Sequence, residues 1–528
     1  MKIERRECML ADRHTKLSMN EKNFLGIEFG STRIKTVVIN EKFEVTAGGD
    51  YTWKSSFEQG VWTYDLEEAA RGLKAALAGA GNLDNIAAMG ISGMMHGYLA
   101  FDKDWNLLVP FRTWQNTITG EAAKKLTKLF QFQIPQRWSI AHLYQAILNR
   151  EAHIQNIAHI TTLAGYIHYR LTGENVLGVG EASGVFPINQ EGTDYDKEMM
   201  EQFEQHIQKH NISWKLADIL PKVLLAGEEA GRLSEEGSAL LEGALEAGIL
   251  FAPPEGDAGT GMTATNAVAP RTGNVSAGTS IFSMVVLEKP LKRVYPEIDL
   301  VTTPTGRPVA MVHCNNCTND LNAWMKLFEE LLDLFGAKVS TKDLYPALFR
   351  KSVEGNADCG GILVYNYMAG EGVTHLDAGR PMVVRKPESD FSLADFMRSQ
   401  LYSTMATLKI GMDILAEEQV RIDKLLGHGG LFKTPGVAQR YMAAACNVNV
   451  TCMETAGEGG PFGMALLASY LVLKEQGELL EQFLENKVFQ SAVSSTLAPN
   501  PSDVAGFEQY VRLYRNGLGV EKAAAELI

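Results

Sequence analysis

Phe24-Leu25-Gly26-Ile27-Glu28-Phe29-Gly30-Ser31-Thr32-Arg33-Ile34-Lys35-Thr36-Val37-Val38-Ile39-Asn40 is the stretch on which the fold turns. Its first six residues form an apolar strand pattern with one acid in it, Glu28. Residues 34–40 form a β-branched strand. Gly30-Ser31-Thr32-Arg33 joins them in a turn rich in small and hydroxyl residues. The unit is a hairpin whose turn offers backbone N–H groups and hydroxyls. A carboxylate in such a strand needs a compensating partner or a cation.

Working outward, Leu66 to Ala80 reads as a helix and Ile86 to Ser92 as a buried strand. Residues 141–172 are mostly helical. A second hairpin of the same kind follows, with strands at 274–277 and 281–287 around the turn Gly278-Thr279-Ser280. Two such hairpins half a chain apart are a short repeat signal. They imply two similar lobes, divided near Ala269-Pro270-Arg271-Thr272-Gly273, which is punctuated like a boundary. In the second lobe, Met311 to His313 ends a strand and Thr318 is placed to cap a helix reaching Phe335. A strand covers 361–365. Ser392 caps a long helix over 393–419, with Asp395 at its third position. A strand at 424–427 leads into Gly429-Gly430, a helix spans 435–445, and a last one spans 461–475. Strands that alternate with helices and are interrupted by hairpins mean α/β with mixed sheets.

The composition is globular: 45% hydrophobic and 21% charged over 528 residues, which excludes collagen-like and low-complexity classes. The 49 basic and 63 acidic residues give a net charge of −14, so nucleic acid is not the expected partner. Six cysteines are too few for a disulfide scaffold. Cys314 and Cys317 make one C-x-x-C with no second ligand pair, and read as reduced structural thiols. No run reaches the ~18 apolar residues of a membrane span. Residues 1–22 lack the apolar core of a signal peptide and read as a disordered extension.

Three glycine-rich turns have the make-up of phosphate or nucleotide contacts: Gly30-Ser31-Thr32, Gly278-Thr279-Ser280 and His428-Gly429-Gly430. Small residues let the backbone approach an anion. Taken alone, each reads as an ordinary hairpin. Neither G-x-x-x-x-G-K-S/T nor a G-x-G-x-x-G after a strand occurs, which disfavours P-loop and Rossmann sites. Pro253-Pro254-Glu255-Gly256-Asp257-Ala258-Gly259 frames a carboxylate with small residues. Two readings of Asp257 stand side by side, an exposed turn or a general base with room for a substrate hydroxyl. Gly93-Met94-Met95-His96-Gly97 puts a histidine at the end of a strand, structural or ligand-facing. Arg112-Thr113-Trp114-Gln115-Asn116 sets an aromatic plate beside polar groups, as suits a sugar or a packed loop.

The set, in order and in both halves, resembles the FGGY carbohydrate kinases of the actin–hexokinase–chaperone ATPase fold, nearest to the xylulokinase-like members. The resemblance runs from about Phe24 to Tyr470. Residues 25–32 look like the first phosphate loop, 93–97 like the sugar-contacting motif and 256–258 like the catalytic-base motif. Residues 277–280 look like the second phosphate loop, Gly429 to Gln439 like the adenosine motif and 459–465 like the closing helix segment. The resemblance implies two actin-like (ribonuclease H-like) lobes, residues 23–270 and 271–528, of mixed sheets flanked by helices, with the active site in a cleft. It implies ATP and Mg²⁺ as cofactors. Gly30, Ser31, Thr32, Lys35, Gly278, Thr279, Ser280, Gly429, Gly430 and Gln439 would face the nucleotide, and Glu28 the metal. Met95, His96, Trp114, Asn116 and Asp257 would face the sugar, with Asp257 as the base.

Glu28 stands where the family usually has Asp. Met94, Gln115 and Asn116 also depart from the xylulokinase pattern, so the sugar need not be xylulose. The expected activity is phosphoryl transfer from ATP to a ketopentose, ketohexose or related polyol. The alternative is a sugar- and nucleotide-binding sensor of the same fold that has lost turnover. A chaperone-like ATPase is disfavoured, because no peptide-binding domain is added. The expected setting is the cytoplasm, with small-molecule partners, no membrane, and a homodimer as one assembly state.

Overall fold

The computed structural model describes residues 21–389, 391–453 and 459–528. Most of the extension expected over 1–22 lies outside the described residues. The chain divides into two compact units. The first comprises residues up to Asn266 together with Val301–Arg307 and Glu458–Ser491; the second comprises Ala267–Leu300, Pro308–Gly457 and Ala492–Ile528. The lobe expected from the sequence is the single stretch 271–528, whereas this division is discontinuous. The segment around 458–491 returns to the first unit.

In the first unit, β1 (Asn23–Phe29) and β2 (Arg33–Ile39) form the first hairpin, and β3 (Val45–Thr52) extends it antiparallel. Helix α1 (Leu66–Ala80) buries Ala69, Leu73, Ala76 and Leu77, with Asp65 capping its N-terminus. β4 (Ile86–Gly93) lies parallel to β1 on the other side. Beyond α2 (Val179–Ala182), the short β5 (Leu250–Phe251) and β6 (Glu255–Gly256) both run parallel to β4. The sheet order is β5-β4-β1-β2-β3, with β6 also on β4. α3 (Asp257–Ala264) starts where β6 ends.

The second unit repeats this order. β7 (Thr272–Ala277) and β8 (Ile281–Val286) are the second hairpin, and β9 (Ile298–Thr302) and β10 (Pro308–Cys314) continue beyond β8. β11 (Lys424–His428) lies parallel to β7, followed by β12 (Asn449–Met453) and β13 (Ser494–Leu497). Each sheet thus has an antiparallel hairpin at its centre and a parallel strand beside the hairpin's first strand. Helix Leu393–Glu417 is almost wholly buried and is capped by Ser392, whose hydroxyl accepts from Asp395 N.

Several expectations are adjusted. Residues 141–172 divide into helices Ser139–Leu148 and Leu163–Thr172, with a strand at His159–Thr161 between them. Thr318 precedes helix Asn319–Leu334, but its hydroxyl donates to Gly278 O rather than capping. The helix expected over 461–475 is α4 (Gly459–Leu473), and it is not the last: Pro501–Leu527 forms another. Cys314 and Cys317 are free and buried, and burial pushes both thiols up, as unreactive core residues. Among the described residues, no helix is long and apolar enough to cross a membrane.

Candidate functional site

In the first unit the ends of three parallel-paired strands come level. Glu28 on β1 and Glu255 on β6 both pair with Ser92 on β4, while Phe29 and Gly256 both pair with Gly93. Three loops leave from this edge. The first is the turn Gly30–Arg33, closed by Gly30 N–H donating to Arg33 O at 2.9 Å. Its carbonyls are held from behind. Trp53 Nε1 donates to Gly30 O at 2.7 Å and the Tyr64 hydroxyl to Ser31 O at 2.7 Å. Thr32 stays exposed at the tip.

The second loop follows β4. Met94 N–H donates to Phe29 O, and Met95 N–H donates to Asp257 Oδ1 at 3.1 Å. His96 is buried with a backbone φ of 73°, a left-handed conformation uncommon for a residue of this size. Its ring stacks on Trp138 at 6.3 Å, and its Nδ1 lies 3.5 Å from Gly184 O. Burial first, then the positive charge of Arg137, hold its pKa well below the ordinary value, so the ring is a neutral imidazole.

The third loop is the β6–α3 junction. Asp257 is the first residue of α3, not part of a free turn. At that position it meets the unpaired N–H groups of the helix start, which favour a negative charge. The carboxylate is reached by solvent yet ringed by protein. Desolvation by that protein raises its pKa, while N–H groups of Met95 and Ala258 and the charge of Arg137 oppose the rise.

Glu28 lies close to this carboxylate. Burial raises its pKa to about 7, the charge of Asp257 adds to the rise, and Lys35, its cross-strand partner on β2, lowers it. Glu28 reaches the start of α4: a Cβ at Gly460 would sit 2.0 Å from Glu28 Oε1, so only glycine leaves room there. Glu28 is an oxygen donor in partial need of positive charge, which fits Mg²⁺. That ion is usually held by one or two carboxylates plus phosphate oxygens rather than by a protein cage. Among the described residues, no group of three or more His, Cys, Asp or Glu side chains is placed to bind a metal.

Two further acids and one cation belong to this region and escape the sequence reading. Glu255 is buried and accepts from Gly180 N–H at 3.3 Å and Glu181 N–H at 2.9 Å; burial raises its pKa to about 8. Glu181 on α2 is fully buried, and neither oxygen has a hydrogen-bond partner among the described residues. Burial, then the charges of Asp257 and Glu255, raise its pKa well above the ordinary value, against the nearby Thr162 hydroxyl. Burial thus favours the protonated form of Glu181. Its setting, Gly180-Glu181-Ala182-Ser183-Gly184, repeats the small-residue frame around Asp257, the one sequence signal that marks it. Arg137 touches the site electrostatically through both His96 and Asp257.

Not every expected residue is presented outward. Asn116 is buried, and its amide is committed to the loop: Nδ2 donates to Trp62 O and Thr113 O, and Oδ1 accepts from Trp62 N. Trp114, 40% exposed, is the open member of that segment. Gln439 is likewise buried, with Nε2 donating to Val450 O and Ser495 O and Oε1 accepting from Ser495 Oγ. Both side chains tie backbone segments together.

In the second unit the equivalent sheet edge carries two glycine-rich turns. Gly278 N–H donates to Ser280 O at 2.9 Å, closing the hairpin, and Thr279 is exposed. Gly429 follows β11 with φ 98°, and a Cβ there would lie 2.5 Å from Ala277 O. The pairing of Ser276 with His428 sets the two turns side by side. A Cβ at Gly430 would meet open space.

Comparison with known proteins agrees with this fold. The N-terminal domain model of the FGGY family of carbohydrate kinases matches residues 23–258, and the C-terminal domain model matches 273–472. A xylulose kinase from Haemophilus influenzae is 21% identical over 512 residues, covering 93% of this chain and 98% of that protein. Among solved structures, a ligand-bound xylulose kinase from Lactobacillus acidophilus superposes with a TM-score of 0.78 at 17% identity, covering 95% of this chain and 99% of that one. A gluconate kinase from the same organism gives 0.78 at 17%, covering 96% and 99%. With both domain models matched in order along a chain whose two sheets repeat one topology, the protein belongs to the FGGY family of carbohydrate kinases.

Proposed function

We propose that the protein transfers the γ-phosphoryl group of ATP to a hydroxyl of a ketopentose, a ketohexose or a related polyol. The observation that carries this reading is Asp257. It is a solvent-reachable carboxylate at a helix start, oriented by Met95 N–H, with a raised pKa and a neutral histidine on the same loop as its orienting donor. Asp257 would take the proton from the attacking hydroxyl as that oxygen bonds to the γ-phosphorus and the bridging bond to ADP breaks. His96, as neutral imidazole, can donate to or accept from a sugar hydroxyl without competing for that proton. The turns Gly30–Thr32 and Gly278–Ser280 offer donors suited to phosphate oxygens. Glu28 would hold Mg²⁺, which, when bound, neutralises phosphate charge. The xylulose, gluconate and glycerol kinases among its relatives support a polyol or sugar acceptor.

The test is sugar-stimulated ADP release across a panel of pentuloses, hexuloses, aldonates and polyols, run with wild type and Asp257→Asn. Wild type is expected to turn over at least one member. The variant should bind ATP and that sugar nearly as before, with kcat lower by about 10² to 10⁴. Full turnover in Asp257→Asn removes the assignment. A sensor reading draws on Glu28, which stands where the family usually has Asp. Sugar binding without any ADP release in wild type would favour it.

A further inference from the structure

Glu371 is a buried acid in the second unit to which neither the sequence motifs nor the proposed chemistry gives a role. It closes the loop that follows a strand at Ile362–Tyr365. Its Oε2 accepts three bonds from one turn: Asn315 N–H at 2.9 Å, Asn316 N–H at 3.3 Å and Asn316 Nδ2 at 3.2 Å. The lacing is reciprocal. Asn316 Oδ1 accepts from Met368 N–H at 2.9 Å and Ala369 N–H at 3.0 Å, Asn315 Nδ2 donates to Gly370 O, and Asn366 Nδ2 donates to Cys317 O.

The same turn holds the second glycine-rich hairpin. Cys317 N–H donates to Thr279 O at 3.1 Å, and Thr318 donates to Gly278 O through Oγ1 at 2.8 Å and through N–H at 3.3 Å. Both carbonyls at the hairpin tip are thereby fixed on the protein side. A peptide unit whose carbonyl is pinned cannot rotate, so its N–H is pinned as well. Only one residue separates the Asn316 N–H bound by Glu371 from the Thr318 groups bound to Gly278.

We propose that Glu371 is the positioning residue of the Gly278–Ser280 hairpin: through residues 315–318 it fixes the direction in which the hairpin presents its donors to the nucleotide phosphates. The proposal rests on the reading of that hairpin as a phosphate contact. Removing the carboxylate takes the acceptor from the buried Asn316 N–H and the part-buried Asn315 N–H and leaves Asn316 Nδ2 with Ala369 O alone, so the turn must move to replace those bonds. Glutamine keeps one acceptor oxygen but brings an N–H₂ toward a donor-rich turn, so it restores part of the arrangement.

The experiment measures KM for ATP and KM for an accepted sugar in Glu371→Ala and Glu371→Gln, with amide hydrogen exchange at Cys317 and Thr318 in both. Glu371→Ala is expected to raise KM for ATP about tenfold, with KM for sugar within about twofold. Glu371→Gln should fall between it and wild type. Exchange at Cys317 and Thr318 should speed up in the same order, without nucleotide present. Equal changes in both KM values, or an unchanged KM for ATP, overturns the proposal. If Glu371→Ala does not fold, Glu371→Gln decides: protected amides at 317 and 318 together with wild-type KM for ATP overturn it. If wild type itself shows no sugar-stimulated ADP release, the kinase reading fails. The exchange result then still tells whether Glu371 holds the hairpin.

Discussion

The charge on Asp257 raises the pKa of Glu28, adding to the larger effect of burial, and Lys35 across the hairpin draws it back to about 7. Glu28 lies next to the end of β1 and Asp257 follows directly on β6, and both strands pair with β4, which brings the two like charges together. Such a pair is costly unless a cation or a proton is shared out between them. The proposed roles, Asp257 as base and Glu28 as metal ligand, are one arrangement that would use the cost.

Glu28 is accordingly tested by two substitutions. Glu28→Gln keeps the shape and removes the charge, and should lower kcat/KM for Mg·ATP strongly. Glu28→Asp withdraws the carboxylate from Gly460 by one methylene and should keep activity within about tenfold, a difference near 1.4 kcal/mol. The measurement is kcat/KM for Mg·ATP with a sugar that wild type accepts. Wild-type values in Glu28→Gln would remove Glu28 from the metal site.

His96 requires a variant chosen for its backbone. With φ at 73°, alanine would strain the loop as well as delete the ring, whereas asparagine enters the left-handed region readily. His96→Asn should raise KM for the sugar by about three- to tenfold, the worth of a neutral hydrogen bond. KM for ATP should stay near wild type. Equal shifts in both, or loss of the folded state, would make His96 a structural residue held by Trp138 and Gly184.

How much of this is legible in the sequence depends on the range of the contact. The two hairpins are readable because β-branched strands around a glycine-hydroxyl turn are local signals, and β1, β2 and β8 fall where they are expected. Asp257 is readable from its glycine frame, but its place at the first position of α3 is not. Glu255 and Glu181 are not readable as a pair, since they meet only when β6 docks on β4 and α2 presents its N–H groups. Asn116 and Gln439 carry the right chemistry, yet their amides satisfy nearby backbone, a competition that spacing does not reveal. The return of α4 to the first unit is likewise a long-range contact. Helix Pro501–Leu527 is a different case: Asn500 as cap, proline at the first position, and Phe507, Tyr510, Val511 and Tyr514 along one buried face are plain local signals.

Glu255 makes stability depend on pH. Burial raises its pKa from 4.5 to about 8 in the folded protein. Below 4.5 it is protonated in both states and its contribution is fully present. Between 4.5 and about 8 the folded state holds a proton that the unfolded chain has released. Stability therefore falls as pH rises through that window, and the contribution is gone above it. Glu255→Gln stays neutral throughout and keeps one acceptor oxygen for the N–H groups of Gly180 and Glu181. Calorimetric Tm measured from pH 5 to pH 8.5 should fall more steeply for wild type than for the variant. Parallel curves would show that Glu255 does not carry the proton.

Gly429 and Gly430 are adjacent, but they separate packing from binding. A side chain at Gly429 would drive a Cβ to 2.5 Å from Ala277 O at a backbone φ of 98°, so Gly429→Ala should destabilise the second unit whatever it binds. Nothing lies within 4 Å of a Cβ at Gly430, and its φ is not in the left-handed region, so Gly430→Val has no such cost from the protein. Any loss of ATP affinity in Gly430→Val then reports contact with the nucleotide. The expected result is a Tm close to wild type, a dissociation constant for ATP weaker by about tenfold or more as a bulky side chain obstructs the adenosine, and unchanged sugar binding. Calorimetric titration of both ligands gives the answer without turnover. Wild-type ATP affinity in Gly430→Val would take this turn out of the nucleotide site and leave the hairpin Gly278–Ser280 as the second unit's remaining candidate contact.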